Sequence, residues 1–212
     1  MFPNILEAGL LLAAKLIKYK NDPGIVLAVP RGGVPVAYAV ATELGFPAEV
    51  ILTKKIGHPF NKEYAIGAAS LTDYFIETHQ DVSEEYIQDE LRTIRNRLKE
   101  MQIRFMGNIA PTHLKGKTVI VIDDGIATGN TMMATVNFLR KSHPGKIIIA
   151  VPVASKMAVQ KLAAVADEVV VILVPDEFYG VGRFYKDFEQ VSDEEVVFYL
   201  DQLRAIRKKE SR

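Results

Sequence analysis

Val119-Ile120-Val121-Ile122-Asp123-Asp124-Gly125-Ile126-Ala127-Thr128-Gly129-Asn130-Thr131 decides the reading of this chain. Four consecutive β-branched apolar residues suit a strand buried on both faces, as in a parallel sheet. The run ends in two adjacent acids, a Gly-rich turn and a helical pattern over residues 131–142. The acids therefore fall at the carboxyl end of a strand, where open α/β sheets bind ligands. The turn can aim several backbone N–H groups and hydroxyls at one point, and the following helix adds its positive dipole end. Such a cradle suits a phosphate, and Asp123 and Asp124 suit neighbouring hydroxyls or a divalent cation.

Two other phosphate motifs are excluded. A Walker A loop needs G-x-x-x-x-G-K-[ST], whereas three residues separate Gly125 from Gly129 and Asn130 stands in the lysine position. The fingerprint G-x-G-x-x-G occurs nowhere in the chain.

The rest of the sequence supports an α/β reading. Helical patterns cover residues 5–19, with Asn4 and Glu7 as a cap pair, 34–44, closed by Gly45, 131–142 and 155–166. Strands are expected at 25–29, 49–53, 64–70, 118–123, 146–153 and 168–174, with a turn at 30–33 and a loop at 54–62. This alternation predicts a doubly wound, mainly parallel sheet with right-handed crossovers. Residues 83–106 read as one long helix, with Ile87, Leu91, Ile94, Leu98, Met101 and Phe105 forming a single apolar seam. That seam either docks on the body of the protein or meets a second subunit.

The 212 residues suit one ordinary domain, and 49% apolar content makes it globular. Lys+Arg and Asp+Glu both number 26, so no net charge attracts nucleic acid or an anionic membrane. With no cysteine there is neither a disulfide framework nor a thiol nucleophile. The N-terminus lacks a basic n-region, and the apolar patch at 9–14 is too short for a bilayer, so a cytoplasmic protein is expected.

The 119–131 segment resembles the 5-phosphoribosyl-1-pyrophosphate (PRPP) motif of type I phosphoribosyltransferases: hydrophobic strand, acid pair, and a short loop ending T-G-x-T. The resemblance implies that Ile126, Ala127, Thr128, Gly129, Asn130 and Thr131 hold the ribose 5-phosphate. By the same match Asp123 and Asp124 hold the ribose hydroxyls, directly or near Mg²⁺. Val29-Pro30-Arg31-Gly32-Gly33 and the run to Gly45 look like the xanthine–guanine branch, which implies that Arg31, Gly32 and Gly33 contact pyrophosphate. Arg31 can fork onto two phosphate oxygens, and Gly-Gly permits close backbone approach. Lys54-Lys55-Ile56-Gly57-His58 is similar to a lysine element that meets PRPP in adenine and orotate enzymes, with Lys55 ahead of Lys54. His58 reads as a loop residue, and Glu63 is a looser candidate.

Val174-Pro175-Asp176-Glu177-Phe178 resembles the I-P-D-x-F string of hypoxanthine–guanine enzymes. That match implies an acceptor ring stacked on Phe178, and an exocyclic oxygen met by Lys156. Lys186-Asp187-Phe188 is similar to their R-D-L string, with five intervening residues missing. One departure matters: 6-oxopurine enzymes carry an acid three residues after the pair, and here that position is Ala127. The expected organisation is one phosphoribosyltransferase domain over 1–212, with a core at about 22–174, a helical insertion at 83–106 and a small hood at about 175–200. The resemblance spans residues 26–188, with 72–117 divergent. It implies a Mg²⁺-dependent homodimer in purine salvage that transfers the phosphoribosyl group from PRPP to a purine-like nitrogen base. The rival expectation is a PRPP- or nucleotide-binding regulator without turnover, which would keep the cradle and lose the cations at the pyrophosphate.

Overall fold

A computed structural model describes residues 1–76, 81–107, 109 and 111–210, without the side chains of Glu63 and residues 207–210. In chain order the elements are α1 (Ile5–Leu16), β1 (Gly24–Ala28), α2 (Gly33–Leu44), β2 (Ala48–Val50), β3 (Lys54–His58), β4 (Asn61–Ala69) and β5 (Tyr74–Ile76). There follow α3 (Glu84–Met106), β6 (Thr118–Ile122), α4 (Asn130–Arg140), β7 (Lys146–Val153), α5 (Lys156–Ala163), β8 (Glu168–Leu173) and α6 (Asp193–Glu210). Five strands form one parallel sheet in the order β2-β1-β6-β7-β8. The doubly wound α/β expectation is borne out.

The continuous apolar runs have a physical reason. Successive side chains of a strand point to opposite faces, and both faces of this sheet are covered. Ile25, Leu27, Val119, Val121, Ile147 and Ile149 pack with Met132 and Val136 of α4 and Leu162 of α5. Val26, Ala28, Ile120, Ile122 and Ile148 pack with Leu12 and Leu16 of α1 and Val36 and Val40 of α2. Helix starts follow the sequence too: Asn4 Oδ1 accepts from Glu7 N at 2.9 Å.

Three features differ from the sequence expectation. Residues 54–58 form a strand rather than a loop, paired antiparallel with β4. The strand expected at 64–70 therefore leaves the main sheet and joins a separate antiparallel one, β3-β4-β5. Polar, Gly-containing sequence conceals this hairpin, which is held through Ala68 and the Phe75–Phe138 ring pair (5.9 Å) against α4. The C-terminal helix α6 is the third difference: among its described side chains Val196, Leu200 and Leu203 are buried with α2 and α3, flanked by half-buried Val197 and Tyr199. Residues 175–192 run back over the carboxyl edge of the sheet, tied to the N-terminus by Phe2 N→Phe184 O (2.7 Å) and Lys186 N→Phe2 O (2.8 Å).

The seam of α3 docks within the chain: Ile87, Leu91, Ile94, Leu98 and Phe105 join the core shared with α2 and α6. Leu98→Ala should therefore cost about 2–5 kcal/mol of unfolding free energy. Denaturant titration at two protein concentrations checks this. The loss should be the same at both, because the cavity opens inside one chain.

Candidate active site

The site begins where two neighbouring strands end together. β1 and β6 pair with Ala28 opposite Ile122, and Val29 N donates to Ile122 O at 2.8 Å. The Pro30–Gly33 turn is thereby laid against the acid pair, and its Pro30–Arg31 peptide is cis. A Cβ on Gly32 would lie 1.9 Å from Asp124 Oδ2, and one on Gly33 2.7 Å from Ile122 O and 2.9 Å from Asp123 Cα. Only glycine fits at position 33, where the neighbours are backbone; at position 32 the Asp124 carboxylate would have to swing aside.

The turn after the acids is fixed from the other side by β7. Ile126 N donates to Val153 O (2.9 Å), and Ser155 N to Ile126 O (3.0 Å). Ser155 Oγ donates to Ala127 O (2.5 Å) while accepting from Ala158 N to cap α5. Gly129 has φ +78°, the left-handed conformation that favours glycine. Thr128, Asn130 and Thr131 are exposed around it.

The helix starts sort into two groups. Asn4, Ser83, Ser155 and Ser192 cap α1, α3, α5 and α6 with side-chain oxygens. Gly32 and Gly129, which precede α2 and α4, provide no such bond. Both helices without a side-chain cap start beside Asp123 and Asp124, but only α4 leaves first-turn N–H groups available to an anion; in α2 Gly33 N donates to Val29 O and Val34 N to Arg31 O, both at 3.1 Å, and Pro35 has no N–H.

Three adjoining clefts surround this point. One, of about 760 Å³, is lined by Arg31, Gly32, Lys54, Asp124, Phe188 and Asp193 among others. A second, of about 410 Å³, includes Lys54, Lys55, Asp123 and Thr131. A third, of about 690 Å³, includes Lys55, Thr128, Asn130, Thr131 and Lys161. Lys54 thus shares a cleft with Arg31 and Asp124, whereas Lys55 stands beside the turn.

Burial pushes the Asp123 carboxyl well above the usual range, and the charge of Asp124 adds to the effect. Asp124 is raised to about 6, again by burial, although hydrogen bonds oppose this. Asp123 Oδ1 accepts from Asp124 N at 2.9 Å. Two neighbouring acids in these surroundings fit a cation. No group of three or more potential metal-binding side chains occurs among the described residues. Mg²⁺ suits such a donor set, because it commonly takes one or two carboxylates and completes its shell from substrate phosphates and water.

The other expected residues are placed differently. Phe178 packs on Phe184, with ring centroids 5.3 Å apart, and lines none of the three clefts. Lys156 opens α5 and donates to Asp176 Oδ1 at 2.6 Å, outside the same clefts. The hood does reach the turn, because a Cβ on Gly125 would lie 2.6 Å from Val181. His58 pairs with Asp81 at 3.0 Å and is not among the residues lining the three clefts. The Glu63 side chain lies outside the described set.

Sequence reasoning missed Tyr185, Phe188 and Asp193 as neighbours of the acid pair. The Tyr185 hydroxyl donates to Asp124 O at 2.5 Å, and its ring lies 5.3 Å from Phe2 and 5.0 Å from Phe188. The Lys186-Asp187-Phe188 string was the available signal, but it does not say which loop it meets.

The family model described as "Phosphoribosyl transferase domain" matches residues 3–188. The chain belongs to this family. Proteins from two Mycobacterium tuberculosis strains, CDC 1551 and H37Rv, whose names assign them provisionally to the phosphoribosyl transferases, are 36% identical over 208 residues. That similarity covers 95% of this chain and 46% of theirs, so the chain spans about half the length of these curated relatives. The crystal structure of TT1426 from Thermus thermophilus is 36% identical with a TM-score of 0.86, covering 96% of this chain and 99% of that one. A Bacillus anthracis hypoxanthine-guanine phosphoribosyltransferase shares the fold at 14% identity and a TM-score of 0.51, over 87% and 89% of the two chains.

The raised carboxyls give a signed pH prediction. A carboxyl that holds its proton more tightly when folded lowers stability as pH rises from its unfolded value, near 4, through its folded value, about 6 for Asp124. The free protein should lose on the order of 2 kcal/mol from this source across that window. Asp124→Asn should flatten the slope and raise the melting temperature at pH 7, measured by calorimetry from pH 4.5 to 7.5.

Proposed function

We propose that the chain transfers the 5-phosphoribosyl group from PRPP to a ring nitrogen of a purine-like base and releases pyrophosphate. The observation that carries this reading is a half-buried acid pair set between the uncapped start of α4 and the Arg31 side chain of the Pro30–Gly33 turn. Such a site offers an anion cradle on one side, a guanidinium on the other and carboxylates between them. The turn at 126–131 holds the 5-phosphate, Arg31 with Gly32 and Gly33 holds the pyrophosphate, and Asp123 and Asp124 hold the ribose hydroxyls. Lys54 and Lys55 supply further positive charge. We extend the reading to a single domain over 1–212 acting as a cytoplasmic homodimer; no described helix is long and apolar enough to cross a membrane.

The chemistry follows from charge. The bond from ribose C1 to the pyrophosphate oxygen breaks, the C1–N bond forms, and the acceptor nitrogen gives up its proton. Charge develops on the ring and on the leaving oxygen, so fixed dipoles and charges do the catalysis rather than a covalent nucleophile. Mg²⁺ held at Asp123 and Asp124 neutralises phosphate charge when bound. The cradle fixes C1 relative to the acceptor. With their protons lost, the acids favour positive charge on the ring.

The acceptor is read from the hood. Lys156 and Phe178 match residues that meet a 6-oxopurine in the enzymes whose motifs they resemble, although here Lys156 pairs with Asp176 and Phe178 packs on Phe184, outside the three clefts; Ala127 leaves proton removal to the base itself or to solvent. Hypoxanthine, guanine or xanthine should release pyrophosphate from PRPP with Mg²⁺ in an acceptor panel. Phe178→Ala should raise the Michaelis constant for the base more than that for PRPP. Turnover of orotate or uracil, with none of any purine, would sink the purine assignment and leave the PRPP reading intact.

PRPP with Mg²⁺ at a hundredfold excess over its dissociation constant should stabilise the protein by about 2.7 kcal/mol. Asp123→Asn with Asp124→Asn should abolish most of that gain. The same thermal shift in the double variant would show that the acids do not hold the ligand.

A further inference from the structure

The long helix α3 reads in the sequence as a packing element, yet it forms a wall of the site. Leu98 and Met101 line the cleft that holds Asp123, and Met101 also lines the one that holds Arg31 and Asp124. One turn beyond Met101, Arg104 Nη1 is paired with Asp193 Oδ2. The other oxygen of that carboxylate, Asp193 Oδ1, lies 3.5 Å from Arg31 Nη1. One carboxylate thus sits between two guanidiniums, one from the Pro30–Gly33 turn and one from α3.

Two arginines closed on a small anion form an anion clamp, because the guanidinium fork matches carboxylate and phosphate oxygens alike. Here the anion is the chain's own side chain. Arg104 is 61% exposed and Arg31 39% exposed, so their pairs with Asp193 are solvent-screened and contribute little to stability. A polyanion carrying several charges on adjacent oxygens outcompetes a single carboxylate for the same two forks. The position of Arg104 is secured by its neighbours, since Phe105 and Met106 are buried beside it.

We propose that Arg104 is a second pyrophosphate-binding guanidinium, and that Asp193 is an internal placeholder which incoming pyrophosphate displaces. This rests on the PRPP reading, and it gives the divergent insertion a place in that site. Pyrophosphate, the part of PRPP that leaves, is then gripped from two elements distant in sequence. Arg31 comes from the turn after β1 and Arg104 from the last turn of α3. In the free protein Asp193 keeps the two cations from repelling each other.

The test is calorimetric titration of the full chain with Mg²⁺ and inorganic pyrophosphate, and separately with ribose 5-phosphate, alongside the melting temperature of each variant. Arg104→Ala should weaken pyrophosphate about tenfold or more, with Arg104→Lys intermediate, because a fork is lost in both and the charge only in the first. Ribose 5-phosphate affinity should stay within about twofold, since that ligand lacks the group being held. Asp193→Asn should tighten pyrophosphate, because a competing anion has gone; a purely structural brace would give the opposite sign. Unchanged pyrophosphate affinity in Arg104→Ala, with affinity lost in Arg31→Ala, overturns the inference and leaves the PRPP reading standing. Weaker pyrophosphate binding in Asp193→Asn overturns the placeholder role. Failure of the unmodified chain to bind either ligand overturns the PRPP reading and this inference together.

Discussion

The whole site depends on the contact between the Pro30–Gly33 turn and Asp123-Asp124. β1 and β6 are hydrogen-bonded neighbours that end side by side, so whatever follows each strand must share the same small volume. A side chain at position 32 or 33 would collide with the acid carboxylate or with the backbone that carries it. Two glycines remove the collision and bring a helix start and an arginine within reach of the acids. The register of one strand pair thus sets the distance between an anion cradle and a carboxylate pair.

That closeness has an electrostatic consequence. Burial raises both acid pKa values, and the neighbouring charge raises that of Asp123 further. Two desolvated carboxylates are unfavourable in the free protein, and a cation or ligand hydroxyls relieve them. The start of α4 complements this, because its first-turn N–H groups have no side-chain cap. Asp123 and Thr131, a residue of that first turn, line the same cleft. The Tyr185 hydroxyl on Asp124 O holds the acid backbone in place while that cleft waits for its ligand.

Much of this was legible in the sequence because it is local. The run at 119–122 announces a strand buried on both faces, and the structure covers both. The turn at 125–131 needs a left-handed Gly129, which the sequence supplies. The residues that complete the surroundings were not legible for an equally definite reason. Asp193 meets Arg31 across 162 positions of sequence, and Tyr185 meets Asp124 across 61. Neither pair leaves a spacing pattern. The β3–β4 hairpin was missed because its strands gain their stability from each other and from α4, not from an apolar alternation of their own.

The sequence by itself determined the strands of the parallel sheet, the acid pair, the glycines and the cradle, since these follow from backbone geometry and from residues only a few positions apart. It also determined that α3 has an apolar face. Only the tertiary structure decided what that face packs against, and so which residues the helix carries to the cleft. Periodicity shows that a helix must bury one side, whereas its partner is chosen by long-range packing among several amphipathic surfaces. Arg104 illustrates the difference: in the sequence it is one charge on a polar helix, and in the fold it shares a carboxylate with Arg31.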